Sequence, residues 1–301
     1  MSAITSANLA NAIVKLVAVD ILNPLVGELI MGNLVNRDFE AVLATAGDTV
    51  NVPIPPSMVA NDLIEGGTVQ TQNPNLGNAA IVLDKHKEAT FTIPDVTKVI
   101  GHPQLLTAYM KPAIIAIVEA VEKDLLKKWS YLDANTPVGA AGTGLTEVTL
   151  DAAETALFKA KVPRSEDKYL VVSAEEYATL RQIARFSEVD KYGSGDAIIT
   201  GKVGKLKDFS IFRSQYVDKT GTSPVNTHNL AFAKDAIALA TRRLPKPLPG
   251  TGAIAEYSEM GNFGVRITMS YEPNTLAQQF TVDILYGAGI LRNTHGIQVN
   301  S

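Results

Sequence analysis

Residues 103–131 read PQLLTAYMKPAIIAIVEAVEKDLLKKWSY, the strongest helical signal in the 301-residue chain. Leu106, Tyr109, Ile114, Ile117, Val118, Val121, Leu125 and Trp129 fall on or near one stripe of a 3.6-residue period. Pro103 suits a first helical turn. Pro112 stands inside the pattern, so a kink or a restart is expected there, because proline lacks the N–H and its ring crowds the preceding turn. Glu119 with Lys123, and Asp124 with Lys128, are spaced to pair on the exposed side. If continuous, such a helix is roughly 40 Å long at ~1.5 Å per residue. Few compact domains need a strut of that length.

Upstream of this helix the pattern changes to extended chain. VNVPIPP (50–56), Gly66-Gly67 and Asn73-Pro74-Asn75 are turn and edge signals, and IVLDKHKEATFTIPD (81–95) returns. In the return stretch Ala89, Phe91 and Ile93 share one face and Thr90 and Thr92 the other, the period of a half-buried strand. Prolines at 53, 55 and 56 confine the outgoing strand to a sheet edge. Together these predict a long two-stranded loop. Further upstream, Leu9, Ile13, Leu16 and Val17 recur at helical spacing behind Thr5 or Ser6 as N-cap, until Asn23-Pro24 bends or ends the segment.

Downstream, a short helix over about 151–161 precedes the apolar strand YLVVS (169–173). Ser173 then caps a helix through Arg185, with Glu176 placed for a capping box. Residues 186–196 read as a loop. Strands are expected in AIITGKVGKLKDFSIFRSQYV (197–217), as one run in NLAFAKDAIALAT (229–241), and in GVRITMSYE (264–272) and AQQFTVDILYGAGILR (277–292). The chain is therefore read as α+β, with no repeat of solenoid period.

Composition narrows the function. Apolar residues make up 46% of the chain and charged residues 19%, so surplus apolar surface is available for subunit contacts. A net charge of −4 argues against a protein whose main task is to neutralise phosphates along a duplex. Cysteine is absent, which removes disulfides, thiolate metal sites and a cysteine nucleophile. The opening residues lack a basic leader and a small-residue cleavage site. Lys15, Asp20, Asn23, Pro24 and Glu28 interrupt the apolar run between Leu9 and Val35, so no membrane span is expected.

Catalytic patterns are missing. Gly195–Lys202, GDAIITGK, has one residue too many for a phosphate loop, and Val203 stands where a magnesium-binding hydroxyl is required. Neither Gly193-Ser194-Gly195 nor Gly287-Ala288-Gly289 continues into a dinucleotide fingerprint, and both read as turns. His86, His102, His228 and His295 lie far apart, without an i+4 histidine or a nearby acidic pair, so neither a metal nor a cofactor is expected. Ser194 lacks the context of a nucleophile elbow. Glu175 and Glu176 fit the first turn of a helix, where the dipole favours negative charge. Lys123, Lys127 and Lys128, and Arg242, Arg243 and Lys246, read as solvated faces.

The order of parts resembles the tailed-phage major capsid family of the Hong Kong 97 type. GDTVNVPIPP (47–56) followed by ATFTIPDVTKVI (89–100) is similar to the two strands of that family's extended loop. LVVSAEEYATLRQ (170–182), GKVGKLKDFSIFRS (201–214), LAFAKDAIALATRRLP (230–245) and VDILYGAGILR (282–292) look like successive pieces of its axial and peripheral domains. The resemblance implies an N-terminal arm over 1–40 and an extended loop over 41–98. It implies a peripheral domain with a spine helix and β-sheet over 99–132 and 252–276, and an α/β axial domain over 133–251 and 277–301.

On this reading the chain is a coat protein without catalytic, cofactor or metal residues, which assembles in the host bacterial cytoplasm and resides in the virion. Its partners are other copies of itself in hexamers and pentamers, a portal protein, packaged double-stranded DNA bound non-specifically, and no membrane. Because the arm begins almost at Met1, a separate scaffolding protein is expected. Leu9, Ile13, Leu16, Val52, Ile54, Ile81, Leu83 and Phe91 are the candidate inter-subunit contacts. Some relatives crosslink a loop lysine to a neighbour's asparagine, and Lys85 and Lys87 lie on the return strand, but no asparagine or acid partner is identified. Alternatives are an encapsulin-like compartment shell, an α+β enzyme with a nucleotide site near Gly195–Lys202, and a tail or tube subunit, which would lack the long helix.

Overall fold

The computed structural model describes residues 30–39, 49–56, 58–63, 65–96, 105–132, 134–183, 205–248, 250–258 and 264–301. Leu9, Ile13, Leu16 and Gly195–Lys202 lie outside the described residues.

The long helix forms as α2 (Leu105–Leu126), continued by a 3-10 turn over Lys127–Tyr131. At 22 residues it spans about 33 Å. It runs through Pro112 as one element. An interior proline costs about 3 kcal/mol. Met110, Ile114, Ile117, Val121, Leu125 and Leu126, each at most 2% exposed, return roughly 1.5–3 kcal/mol apiece by burial. Packing therefore outweighs the break.

Against that stripe lies a five-stranded sheet in the order β10 (Ile254–Ser258), β11 (Val265–Glu272), β12 (Ala277–Ile290), β3 (Lys85–Pro94), with β9 (Ile237–Arg242) also on β12. Ile93, Val265, Ile267, Phe280, Val282, Ile284 and Tyr286 share the α2 core, and Phe91 stacks on Phe280 with ring centres 5.4 Å apart. The other face carries Thr90, Thr92, Thr268, Ser270 and Thr281. The alternation expected for the return strand is present, with Ala89, Phe91 and Ile93 less exposed than Thr90 and Thr92.

The second large sheet runs β13 (Gly296–Asn300), β8 (Asn226–Ala233), β4 (Lys168–Val172), β6 (Phe209–Arg213), β5 (Lys205–Leu206), with β7 (Lys219–Thr220) on β8. One face packs α3 (Glu147–Lys159) and α4 (Ala174–Gln182) through Leu150, Ala153, Leu157, Leu180, Leu170, Val172, Ala231 and Ala233. Val171, Leu230 and Phe232 point into the α2 core instead. A strand buried on both faces reads as an unbroken apolar run, which is why NLAFA shows no alternation.

The expected single strand over 229–241 is two strands in two different sheets, separated by a turn at Lys234–Ala236. The boundary expected at 276/277 does not coincide with a change of sheet. Strand β12 pairs with β11 from Ala277 to Asp283 and with β3 from Ala277 to Tyr286, so its hydrogen bonds keep it beside α2, and only β13 returns to the second sheet. By the same pairing β3 belongs to the five-stranded sheet rather than to the loop.

Two helix starts differ from expectation. Ser173 Oγ does accept from Glu176 N at 3.2 Å, but the Glu176 carboxylate turns away and accepts from Leu145 N at 2.8 Å, tying α4 to the chain entering α3. The reciprocal capping box stands at Thr146 and Thr149.

Candidate assembly surfaces

The hairpin of β1 (Thr49–Ile54) and β2 (Gly77–Val82) rises beside the five-stranded sheet. Its seat is a platform of small residues. In the β9–β12 ladder Ala240 faces Gly287 and Ala238 faces Gly289, and the backbone of β2 lies directly upon these four. A Cβ at Gly287 would come within 2.7 Å of the Val82 carbonyl carbon and 3.1 Å of Leu83 N, and one at Gly289 within 3.3 Å of Ala80 O. The Gly287-Ala288-Gly289 segment is therefore no turn. It is the middle of a strand that a second backbone crosses closely.

This docking consumes several expected contact residues. Ile81 is 0% exposed and Leu83 is buried, and both share a core with Val50, Ala79, Ala238, Ala240 and Leu291, against which Val52 and Ile54 pack. Phe91 is held between Phe280 and Tyr109. Ile81 and Leu83 thus pack within their own chain because the platform lets the hairpin settle on it, and Phe91 is half-buried on the neighbouring strand.

Beyond the platform lies the surface the sequence reading missed. Met58, Val59, Leu63, Val69 and Leu76 are between 64% and 72% exposed. The loop is held in shape by Gln72, whose amide oxygen accepts from Val59 N at 3.0 Å while its amide nitrogen donates to Val59 O. One side chain thereby replaces a rung of the β-ladder. Between Asn51 and Asp84 there is no lysine or arginine, so the loop presents apolar side chains with negative charge only. Its residues carry no periodicity, and the only signal of their exposure was apolar type within a turn-rich stretch.

A second exposed group sits at one end of the five-stranded sheet. Leu276, with φ of +45°, is 63% exposed, Val96 is 69% exposed, and Tyr271 donates to Asp95 Oδ2 at 2.9 Å. A leucine in the left-handed region is uncommon. Its carbonyl accepts from Asp95 N at 3.0 Å, which holds the turn in place.

Residues 30–36 are anchored rather than extended. Met31, Leu34 and Val35 of and beside α1 (Met31–Leu34) enter the α2 core, and Asn36 bridges to β9. Glu122 on α2, 1% exposed, accepts from Met31 N at 3.1 Å and from Ser214 Oγ at 3.4 Å. Burial raises its pKa to about 7, and the Met31 and Ser214 hydrogen bonds only partly oppose this. The folded value lies above the unfolded one, so its favourable contribution is complete below about 4.5 and is lost as pH rises through about 7. Replacing Glu122 with glutamine keeps an acceptor for Met31 N–H and removes the buried charge. Denaturant unfolding of Glu122→Gln is expected to show a gain of roughly 1–3 kcal/mol over wild type at mildly alkaline pH, shrinking towards nothing near pH 5.

Among the ionisable groups, Lys85 pairs with Asp124 at 3.0 Å, and Asp124 also accepts from Tyr286 Oη. His295 is brought together with Glu166 and Asp235, a ring nitrogen and one oxygen of each carboxylate lying within 4.8 Å of one another. The acidic pair that the sequence near His295 lacks is thus supplied by the fold, with Arg292 3.6 Å from Asp235 as counter-charge. Among the described residues no helix is long and apolar enough to cross a membrane.

The family model described as phage capsid protein matches residues 108–246, from within α2 past β9. A solved structure from Mycobacterium phage Che8 superposes with a TM-score of 0.68 at 20% identity, covering 90% of each chain. A capsid structure of the cyanophage P-SCSP1u gives 0.61 at 16% identity, covering 84% of this chain and 83% of that one. A virus-like particle from Pyrococcus furiosus gives 0.57 at 11% identity, covering 95% and 98%. No curated protein sequence matches the chain. The fold is that of phage capsid subunits, and the family match with that fold points to a structural role.

Proposed function

We infer that this chain, which has the phage capsid fold and matches the phage capsid protein family over 108–246, is a major capsid protein whose copies tile a closed icosahedral shell. The observation that carries the reading is the agreement over 90% of both chains with the Mycobacterium phage structure, joined to a loop whose apolar side chains stand exposed among the described residues. In this reading the loop residues Met58, Val59, Leu63, Val69 and Leu76 meet a neighbouring copy, where burial supplies the stabilisation a lone subunit lacks. Repetition of modest contacts around closed symmetry then gives a durable particle. The hairpin–platform unit, β1 and β2 on β9 and β12, aims that loop outward from the subunit. The arm over 1–40, the loop, the peripheral and axial regions, hexamers and pentamers, a scaffolding protein, a portal and packaged DNA all belong to this proposal. So do virion residence, assembly in the host cytoplasm and the lack of a catalysed reaction.

The likeness to the Pyrococcus furiosus particle favours a second reading, a protein compartment without a viral genome. The nucleic-acid content of purified particles separates the two.

Size-exclusion chromatography followed by negative-stain microscopy tests the reading. Closed shells or rings are expected, alone or with a scaffold-like partner. Changing Met58, Val69 and Leu76 together to serine is expected to leave the circular dichroism spectrum unchanged and to suppress shells. A well-behaved monomer from the wild-type chain under both conditions would overturn the proposal.

A further inference from the structure

The chain passes between its two large sheets through α2 and by two short turns. A group of charged side chains joins those turns. Asp235 lies in the turn between β8 and β9, and Arg292 and His295 lie in the turn between β12 and β13. The turns are stitched at the backbone, where Leu291 N and Arg292 N both donate to Ala236 O, at 2.9 and 3.3 Å. Side chains repeat the link. His295 Nδ1 donates to Asp235 Oδ1 at 2.8 Å, and Arg292 Nε lies 3.6 Å from Asp235 Oδ2.

A third connection, between α3 and β4, brings Glu166 to the same place, and Lys234 N donates to Asp167 O at 3.2 Å beside it. Glu166 Oε2 is buried and has no hydrogen-bond partner. An ionised Glu166 would leave that oxygen orphaned and set it against the Asp235 carboxylate. A proton on Glu166, donated to Asp235, removes both defects.

We propose that Glu166 and Asp235 share one proton, and that this pair is a pH-operated clamp holding the connection between α3 and β4 against the turn that joins β8 to β9. The charged and titratable groups facing it are Arg292 and His295 from the β12–β13 turn. Lys234 and Asp167, next in sequence to the pair, are exposed to solvent. Burial and then the charge of Asp235 push Glu166 above the usual carboxylate range. Burial opposes ionisation of Asp235 too, but His295, Glu166 and Arg292 together hold it below its ordinary value.

The two signs combine. The contribution of Asp235 is present above its unfolded pKa and lost as pH falls through its lowered folded value. That of Glu166 is present below its unfolded pKa and lost as pH rises through its raised one. The clamp is therefore tightest between the two values and slackens on the alkaline side, when a second carboxylate appears beside the first.

Because the clamp lies within one chain, it stands independently of the capsid reading and can be measured whether or not shells form. Hydrogen exchange at the amide of Lys234, which donates to Asp167 O between the two segments, corrected for intrinsic pH dependence, reports it. In wild type, protection is expected to fall as pH rises, about tenfold for each unit by which Glu166 is raised over the opened state. Glu166→Gln, which donates to Asp235 without a charge, is expected to keep its protection across the same range. Asp235→Asn should lessen the alkaline fall without abolishing it, because burial still raises Glu166 once the neighbouring charge is gone, and it should start from lower protection because His295 and Arg292 lose their partner. Protection independent of pH in wild type, or an equal fall in both variants, overturns the clamp.

Discussion

Gly287→Val is expected to unfasten the β1–β2 hairpin from the body of the subunit. The residue has no unusual backbone angle, so the effect is one of space alone. Its Cβ would collide with the main chain of Val82 and Leu83, which cannot rotate aside as a side chain can. Overpacking against a yielding neighbour costs about 1–3 kcal/mol. Here relief requires lifting β2, which would also expose Ile81 and Val50, each buried now and each worth roughly 1.5–3 kcal/mol. A total loss of about 3 kcal/mol or more is expected. It should be read as a lowered unfolding midpoint and as rapid proteolytic cleavage within 55–76. Gly66→Ala is the control. Gly66 has φ of +81° with no atom within 4 Å of an added Cβ, so only its backbone preference is at stake, about 1 kcal/mol. Equal effects at the two positions would refute the platform.

Arg266→Ala is expected to be comparably damaging for an electrostatic reason. Asp283, 2% exposed in the middle of β12, accepts from Arg266 Nε at 3.0 Å and from the same guanidinium's terminal nitrogen, and lies 3.0 Å from His86. The hydrogen bond to Asp283 raises the Arg266 pKa further, and Arg266 Nη1 also donates to Pro245 O at 2.6 Å, holding the chain after β9 over the sheet. Removing the arginine leaves a buried carboxylate with only a half-exposed imidazole beside it. Breaking a buried pair in this way costs about 3–5 kcal/mol. Denaturant unfolding at neutral pH is the measurement. Adding Asp283→Asn should recover a substantial part of the loss, since the stranded charge is then gone. No recovery in the double variant would mean that packing of the arginine stem, not the charge, is what matters.

The fate of the expected contact residues shows where sequence reading stops. Val52, Ile54, Ile81 and Leu83 were legible as apolar residues on an extended hairpin, and that is what they are. Whether they meet a neighbour or their own sheet depends on Ala238, Ala240, Gly287 and Gly289, two pairs some fifty residues apart in sequence that become directly opposed only when β9 and β12 register. A Gly-Ala-Gly triplet taken alone is a turn signal. Between two strands it is a docking surface. Likewise Glu176 was correctly placed beside its N-cap, but its carboxylate had a choice of donors, and Leu145 N became one only when α3 and α4 packed side by side.

Local regularities, then, settled much of this protein. The 3.6-residue stripe over α2, the period-two alternation of β3, the prolines that keep β1 unpaired on its outer side, and the N-cap at Ser173 all follow from interactions within a few residues. Pairing across the fold decided the rest: the split of 229–241 between two sheets, the place of β12 beside α2, the closed platform under the hairpin, and the meeting of Glu166, Asp235 and His295. Each of these depends on which far segment supplies the hydrogen bonds, the space or the charge, and that choice is made by burial of the whole chain rather than by any one stretch of it.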